Sequence, residues 1–530
     1  MRVWTSNVNP STPSFQHTKV QQLESLGRLE KIWQEALREG EEATLSRHRK
    51  NGKYPARERI DRTLDPGSFF VELMPFAGHG QTGAQTGASL VVGLGLVSRK
   101  LCLLVANVPT IKGGAINKWT LQKMLRASEI ADQCHLPLVY FIESAGADLT
   151  QQSDIYNMGG AEFREITRRS KKGLPTLAIV FGNSTAGGAY IPGMSDYVVM
   201  VKKNAQVFLA GPPLVKMAIN EDVDAETLGG AQMHATLSGL ADFVAENEEE
   251  AFSLARDIVS TWEVNFELPL ASGTVTEPIY PAEDLLGLLP MDIRQQFEMR
   301  EVIARLVDGS RFLDFKSLFG PTLVTVFAEI GGERVGILGN NGVIHPDSAD
   351  KGSQFIQLCN QRNIPLLFLQ NVTGFMVGAE AERQGIIRAG AALINAVSNS
   401  EMPAVTIIIG ASYGAGNYGM CGRAYQPRFL FSLPHAKLAV MGPEQLSGVL
   451  TLLKQDRLRT ASPEEVQKIE ESQNQLRQQV NHESDAFFGS GRVWDDGVLD
   501  PRHLRSVLKL CFKIVKPKIN KAKGAYGVFR

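Results

Sequence analysis

Two short turns carry the residue types that could do chemistry in this chain. Ser144-Ala145-Gly146-Ala147-Asp148-Leu149 follows the apolar run Leu138–Glu143, and Ala186-Gly187-Gly188, with Tyr190 just beyond, follows Leu177–Gly182. Small residues after a buried strand let the backbone approach a ligand closely, and successive N–H groups can converge on one oxygen. Two such donors aimed at a carbonyl oxygen that becomes negative form an oxyanion hole, where losing one donor costs about 3 kcal/mol of barrier. The same grammar returns downstream. Pro137 and Pro365 stand 228 positions apart, and so do Pro175 and Pro403. That shift carries Ala147 to Phe375, in Val372-Thr373-Gly374-Phe375-Met376, and Gly187 to Ala415, in Gly414-Ala415-Gly416-Asn417-Tyr418. Any one of these glycines could serve a tight turn and nothing more. Recurrence at one offset favours function.

Conventional acid–base sites are thin. Glu143, Asp148 and Asp196 lie near strand ends, where a carboxylate can act as a base or simply cap a turn. Lys112 in Lys112-Gly113-Gly114 could touch a phosphate, and the basic stretch Arg47–Arg59 could hold anions or form a salt-bridge network through Arg57 and Arg59. Gly410-Ala411-Ser412-Tyr413-Gly414 has nucleophile-elbow spacing, although His435 follows closely for that order. There is no His-Glu-x-x-His, no Walker-type loop and no Cys-x-x-Cys among five scattered cysteines, so no metal site is expected. Oxyanion holes without an evident base need one from elsewhere, for example from a cofactor.

The elements that must hold these turns alternate strand and helix. Ala88–Val97, Leu101–Val108 and Leu138–Glu143 read as strands, Val20–Glu42 and Trp119–Gln133 as helices, and the pattern restarts after the Pro-rich stretch Leu268–Pro281. An α/β chain of 530 residues built from stacked β-β-α units then divides into domains 1–267 and 282–530. With 43% hydrophobic residues and a net charge of −1, no field for nucleic acid exists, and no apolar segment reaches membrane-spanning length. Unpaired cysteines and the lack of a signal-peptide core point to a cytoplasmic protein, or a mitochondrial-matrix one in a eukaryote.

At these turns the sequence becomes recognisable. Ser144–Leu149 and Thr185–Tyr190 resemble the two oxyanion turns of the crotonase superfamily, and the chain from about Leu23 to Arg530 is similar to the carboxyltransferase (β) subunits of biotin-dependent acyl-CoA carboxylases. Gly52–Ile60, Gly211–Lys216, Leu228–Ala231, Arg300–Gly309, Phe368–Gly378 and Asp495–Pro501 carry the same resemblance. It implies two tandem crotonase-like domains, the first holding acyl-CoA and the second biotin. The thioester enolate would face the N–H groups of Ala147, Gly187 and Gly188, with Lys112, Gly113, Gly114, Ala145, Gly146, Ala186 and Tyr190 lining the substrate site. The biotin ureido oxygen would face those of Ala415 and Gly416, with Gly374, Phe375, Gly414 and Tyr418 around it. Carboxybiotin would release CO₂, and the freed biotin would take the substrate proton. Biotin would arrive on a separate α subunit with biotin carboxylase and carrier functions, because no Met-Lys-Met site is present. A β hexamer within an α6β6 complex is the assembly implied, with sites shared between one protomer's first domain and another's second.

Gly414–Arg423 looks like the 3-methylcrotonyl-CoA carboxylases, whereas the propionyl type carries Asp where Tyr418 stands. Phe163–Lys172 departs from the methylcrotonyl pattern, which keeps geranyl-CoA or another branched or medium acyl-CoA open, and propionyl-CoA behind them. A biotin-dependent decarboxylase subunit, a serine hydrolase using Ser412 and a non-catalytic assembly protein are the rival readings.

Overall fold

The computed structural model describes residues 1–263, 275–293, 295–442, 445–446, 448–449 and 463–515. The chain opens with β1 (Arg2–Val3), α1 (Pro13–Ala36), α2 (Glu42–Lys50) and α3 (Ala56–Thr63). Then come β2 (Phe70–Glu72), β3 (Leu90–Val97), β4 (Lys100–Asn107), α4 (Lys118–Gln133), β5 (Leu138–Ser144), α5 (Gln152–Lys171), β6 (Thr176–Thr185), β7 (Tyr197–Val201), β8 (Gln206–Phe208) and β9 (Phe243–Ala245). These last eight strands form one sheet in the order β2-β3-β4-β5-β6-β7-β9, with β8 also on β6.

The sheet starts antiparallel and turns parallel. β3 and β4 pair along their whole length through the two-residue turn Ser98-Arg99, both at positive φ, the geometry that matches strand twist. Asp65 accepts from both turn amides, at 2.7 and 2.6 Å. From β4 onward each strand pairs in parallel, which requires a crossover; α4 and α5 supply two of them. Buried on both faces, β5 and β6 are nearly continuous apolar runs. β6 is long enough to change partner: Leu177–Val180 pair with β7, Asn183–Thr185 with β8. A register break between Ile142 and Ser144 falls at the same level. The two turns emerge from these irregular ends.

The second half repeats the plan with β10 (Arg311–Asp314), β11 (Leu323–Ile330), β12 (Glu333–Asn340), β13 (Leu366–Val372), β14 (Ala404–Tyr413), β15 (Phe429–Ser432) and β16 (Lys437–Ala439). β13, β14 and the helix Pro346–Gln361 match β5, β6 and α4 residue for residue at the 228 offset. The register break recurs between Gln370 and Val372, and β14 also switches partner, from β15 to β16. Asp308 caps the β11–β12 turn as Asp65 caps its counterpart, accepting from Gly331 and Gly332 at 2.9 and 2.8 Å.

The described residues fall into two units, and the expected boundary needs one correction. Lys31 to 263, with Gly491–Val493, form one unit; Met1–Glu30 belong with the second half of the chain rather than with 1–267. The cause is non-local. β1 adds to β10, and Glu301 accepts from the Trp4 indole, the Ser6 hydroxyl and the Asn7 amide. Gln22, buried, donates to the Leu289 carbonyl at 2.6 Å. Residues 268–274 of the Leu268–Pro281 linker lie outside the described residues. No described helix is long and apolar enough to cross a membrane.

Candidate active site

In the first half, a single backbone bridge locks the first turn. Ile116 donates to the Gly146 carbonyl and accepts from the Asp148 amide, both at 2.8 Å. Alternate backbone groups point to opposite sides of an extended segment. The Ala147 N–H is therefore turned away from Ile116, and no hydrogen bond to it is formed among the described residues. Gly146 (φ +88°) makes the fit possible, since a Cβ there would lie 2.9 Å from the Thr185 carbonyl oxygen. That contact sets the first turn against the end of β6.

There Ala186 sits at φ +54° and opens a 3₁₀ turn, Ala186–Ala189. Gly187 precedes the first i→i+3 bond such a turn can make, so its N–H projects outward; Gly188, expected as a further donor, is instead the first residue placed to make that bond. The Ser184 hydroxyl donates to the Gly188 carbonyl at 3.0 Å and steadies the turn. A Cβ on Gly187 would stand 3.5 Å from the Phe163 ring, which packs against Tyr190 with centroids 5.7 Å apart. Lys112, Gly113 and Gly114 all have positive φ; Gly113 accepts from the Ala145 amide, and Gly114 from the Ser144 hydroxyl at 2.7 Å. All the residues expected on the acyl-CoA side thus gather at one end of the β5–β6 pair.

The candidate bases are occupied with structure. Burial would raise the Glu143 carboxyl, but Arg59 at 2.7 Å and Lys53 at 2.6 Å outweigh it and hold it below the usual carboxylate range. Arg59, fully buried, also grips Glu248 and stacks over Phe181. Arg57 pairs with Glu39 and Glu72, so the salt-bridge alternative is the one seen. The Thr150 hydroxyl and amide, helped by Lys112, hold Asp148 low, and Asp196 accepts from Ser170 and Thr176. Among the described residues no group of three or more His, Cys, Asp or Glu side chains is placed to hold a metal ion.

The second half repeats the lock. Ile344 donates to the Gly374 carbonyl at 3.1 Å and accepts from the Met376 amide at 2.8 Å, which turns the Phe375 N–H away as the bridge at Ile116 does for Ala147. The Phe375 side chain does not fill the mouth. It folds inward onto Gly390 and Gly419, where a Cβ would come within 3.2 and 3.1 Å of the ring. Gly414, at φ +53°, is the counterpart of Ala186, but here it opens an α-helical turn, Gly414–Gly419. The first N–H groups of an α-helix lack partners, so both Ala415 and Gly416 present theirs. A Cβ on Gly416 would fall 2.7 Å from the Val372 side chain and 3.3 Å from Gly374, so the two turns touch. Beside them lies a cleft of about 670 Å³, bordered by Gly414, Asn417, Tyr418 and the apolar side chains of Leu438, Val440 and Trp494.

Ser412 is no nucleophile. It is buried, donates to the Gln370 side chain at 2.6 Å and accepts from Asn417 at 2.8 Å, and it has no hydrogen bond to a histidine among the described residues. His435 instead faces Gln22 at 3.1 Å, and burial pushes it down to about 4. Sequence reasoning missed Ile116 and Ile344, although their 228 spacing was present; Phe163 entered it only as the start of Phe163–Lys172, with no local signal of its place beside Gly187.

Three comparisons bear on the site. The Carboxyl transferase domain family matches residues 47–523. A protein described as a probable biotin-dependent acyl-coenzyme A carboxylase beta2 subunit of Mycobacterium tuberculosis is 48% identical over 531 residues, covering 99% of both chains. The mitochondrial methylcrotonoyl-CoA carboxylase beta chain of Arabidopsis thaliana is 43% identical over 540 residues, covering 99% of this chain and 91% of that one. Among solved structures, the geranyl-CoA carboxylase beta subunit of P. aeruginosa superposes with a TM-score of 0.90 at 38% identity, covering 100% of both chains. With the fold, the doubled turns and the match across the chain in agreement, this protein belongs to the carboxyl transferase domain family.

Proposed function

We propose that this chain is the carboxyltransferase subunit of a biotin-dependent acyl-CoA carboxylase and that its substrate is a short branched acyl-CoA of the 3-methylcrotonyl kind. The supporting observation is a set of outward amides in each half: Ala147 with Gly187 in the first, and Phe375 with Ala415 and Gly416 in the second. In the first half they hold the thioester oxygen as negative charge develops on it, each donor contributing about 3 kcal/mol to lowering the barrier. In the second half they hold the ureido oxygen of biotin. The residues present fit that group. Open space surrounds Gly374, Gly416 lets its turn close onto Val372 and Gly374, and the adjoining cleft is apolar enough for a fused ring and its tether. Biotin, delivered on a partner subunit, supplies the carboxyl group and the base that this chain lacks. Here Glu143, Asp148 and Asp196 stay out of proton transfer.

Phe163 and Tyr190 favour a short acyl group, because their rings close off space beside Gly187. Likeness to the geranyl-CoA carboxylase subunit supports a second reading, a longer branched acyl chain. The working form in this reading is a β hexamer joined to biotin-carrying α subunits. Five buried cysteines, none in a disulfide, suit a reducing compartment. The test is co-purification with a biotinylated partner, followed by ATP-dependent bicarbonate fixation over a panel of acyl-CoAs. Fixation should be greatest with 3-methylcrotonyl-CoA, above geranyl-CoA and propionyl-CoA. Preference for geranyl-CoA would select the second reading, and fixation with none would remove both.

A further inference from the structure

The two halves build the same helix-on-sheet layer with different interiors. In the first half, Glu162 on α5 is buried and holds both Ser128 on α4 and Tyr140 on β5, whose hydroxyls donate to it at 3.1 Å. Arg169 lies two turns further along α5, buried, with one guanidinium nitrogen donating to the Leu136 carbonyl. The 228 offset carries Ser128, Tyr140, Glu162 and Arg169 to Ile356, Phe368, Gly390 and Val397, all apolar or without a side chain. At Gly390 the vacated space is filled by the Phe375 ring.

Such a cluster is not needed for the layer, since the second half packs without one. Buried polar groups cost free energy unless fully hydrogen-bonded, so an apolar interior would be the more stable choice. What separates the halves here is position. The residue after Glu162 is Phe163, whose ring faces Gly187 and packs on Tyr190. Hydrogen bonds are directional, whereas apolar packing tolerates sliding and rotation. Two hydroxyl donors from two elements, that of Ser128 shared between both carboxyl oxygens, fix both the depth and the roll of α5 at the turn that carries the ring.

We propose that Glu162 is a positioning residue for acyl-chain selection, acting through Phe163 to fix how much room is left beside Gly187. This rests on the assignment of Gly187 to the thioester. Burial pushes the Glu162 carboxyl up to about 7, against the pull of Ser128 and Tyr140, so it is substantially protonated at neutral pH and glutamine can reproduce its contacts.

The experiment compares wild type, Glu162→Gln, Glu162→Leu and Phe163→Ala in the complex with the biotin-carrying partner. It measures kcat and KM for 3-methylcrotonyl-CoA and for geranyl-CoA. Glu162→Leu should raise KM for the short substrate about tenfold, leave kcat within about twofold, and lower the short-to-long ratio of kcat/KM at least tenfold. Glu162→Gln should stay within about twofold of wild type in every constant. Phe163→Ala should reproduce the Leu variant, and the double variant should add nothing to it. Should Glu162→Leu fail to fold, Tyr140→Phe removes one of the two donors and should lower the same ratio about two- to fivefold. An unchanged ratio in a folded variant, or equal losses for both substrates, would overturn the inference while leaving the carboxylase reading intact. A wild-type complex that turns over neither substrate would overturn both.

Discussion

The first turn pair and the second share a backbone and differ in almost everything that surrounds it. Both rest on a parallel strand pair with a register break, both are locked by one isoleucine bridge, and both open a helix at positive φ. Yet the first opens a 3₁₀ turn and the second an α-turn, so one outward amide stands at Gly187 where two stand at Ala415 and Gly416. Beneath the first turn, Glu143 is clamped by Arg59 and Lys53; beneath the second, the equivalent Asn371 is neutral and accepts from the Ala411 amide at 3.2 Å. Ala147 leaves open the space beside its turn, whereas Phe375 sends a ring into the core. Duplication kept the outward amides and released their surroundings to diverge.

The comparison is broken most decisively at the donors. Gly187→Val should take carboxyl transfer below detection, since a side chain would occupy the oxygen's approach while its Cβ meets only the Phe163 ring edge at 3.5 Å. Ala415→Pro removes an N–H that the helix start does not use, and proline is tolerated in a first turn. Its kcat should fall about 10²- to 10³-fold, with KM for acyl-CoA unchanged. Steady-state kinetics checks both, with thermal melting confirming the fold. If Ala415→Pro instead raised KM for acyl-CoA, the two halves would have to exchange roles.

The charged and neutral supports should separate next. Arg59→Met leaves Glu143 and Glu248 buried without their shared cation and should cost about 3–5 kcal/mol of stability. Asn371→Ala removes a neutral acceptor from the Ala411 amide and should cost about 1–2 kcal/mol. Denaturant unfolding measures both, provided the transition is resolved by unit. Equal losses would mean that the ion network carries no special weight in the first half.

A subtler asymmetry lies one residue on. At Gly188 an added Cβ would find its nearest neighbour, the Ser184 hydroxyl, at 3.8 Å, but at Gly416 it would strike Val372 at 2.7 Å. Gly188→Ala should therefore be close to neutral. Gly416→Ala should destabilise by about 1–3 kcal/mol and slow transfer with it, because overpacking pushes the turn off its geometry. Chemical unfolding together with the transfer assay distinguishes them. A silent Gly416→Ala would show that Val372 yields.

Much of this organisation was legible because a duplication leaves a fixed offset. The turns, the strands beneath them and the helices Lys118–Gln133 and Pro346–Gln361 all follow from the single number 228. Two features did not show, for physical reasons. α2 was read as a basic stretch because no residue of Glu42–Lys50 is buried, so it has no apolar stripe to reveal a helix. The first 30 residues join the second half through β1 and Glu301, long-range pairings that no local pattern encodes. Ser412 shows the opposite failure. Its spacing was right, but Gln370 and Asn417, which occupy its hydroxyl, could be seen only in the fold.

The smallest expected effect tests the buried carboxyl present in one half and absent from the other. Burial raises Glu162 from the ordinary carboxylate range to about 7, so between those values the folded chain holds a proton that the unfolded chain has lost. Stability then falls as pH rises through that window, and is no longer contributed once pH passes the folded value. From pH 6 to pH 8 the loss attributable to Glu162 should be on the order of 1 kcal/mol. Glu162→Gln removes the titration while keeping the shape. Its stability should decline less than wild type across that interval and exceed it relatively at pH 8, as followed by urea unfolding at both pH values. Tyr140, pushed far up by burial beside Glu162, stays a neutral phenol throughout and adds no slope of its own. The second half has Gly390 in this place, so Gly390→Ala should leave the pH dependence unchanged whatever it does to packing against Phe375. Parallel pH profiles for wild type and Glu162→Gln would mean that the carboxyl is ionised in the fold, and the contrast between the two interiors would then be one of charge rather than of directional hydrogen bonding.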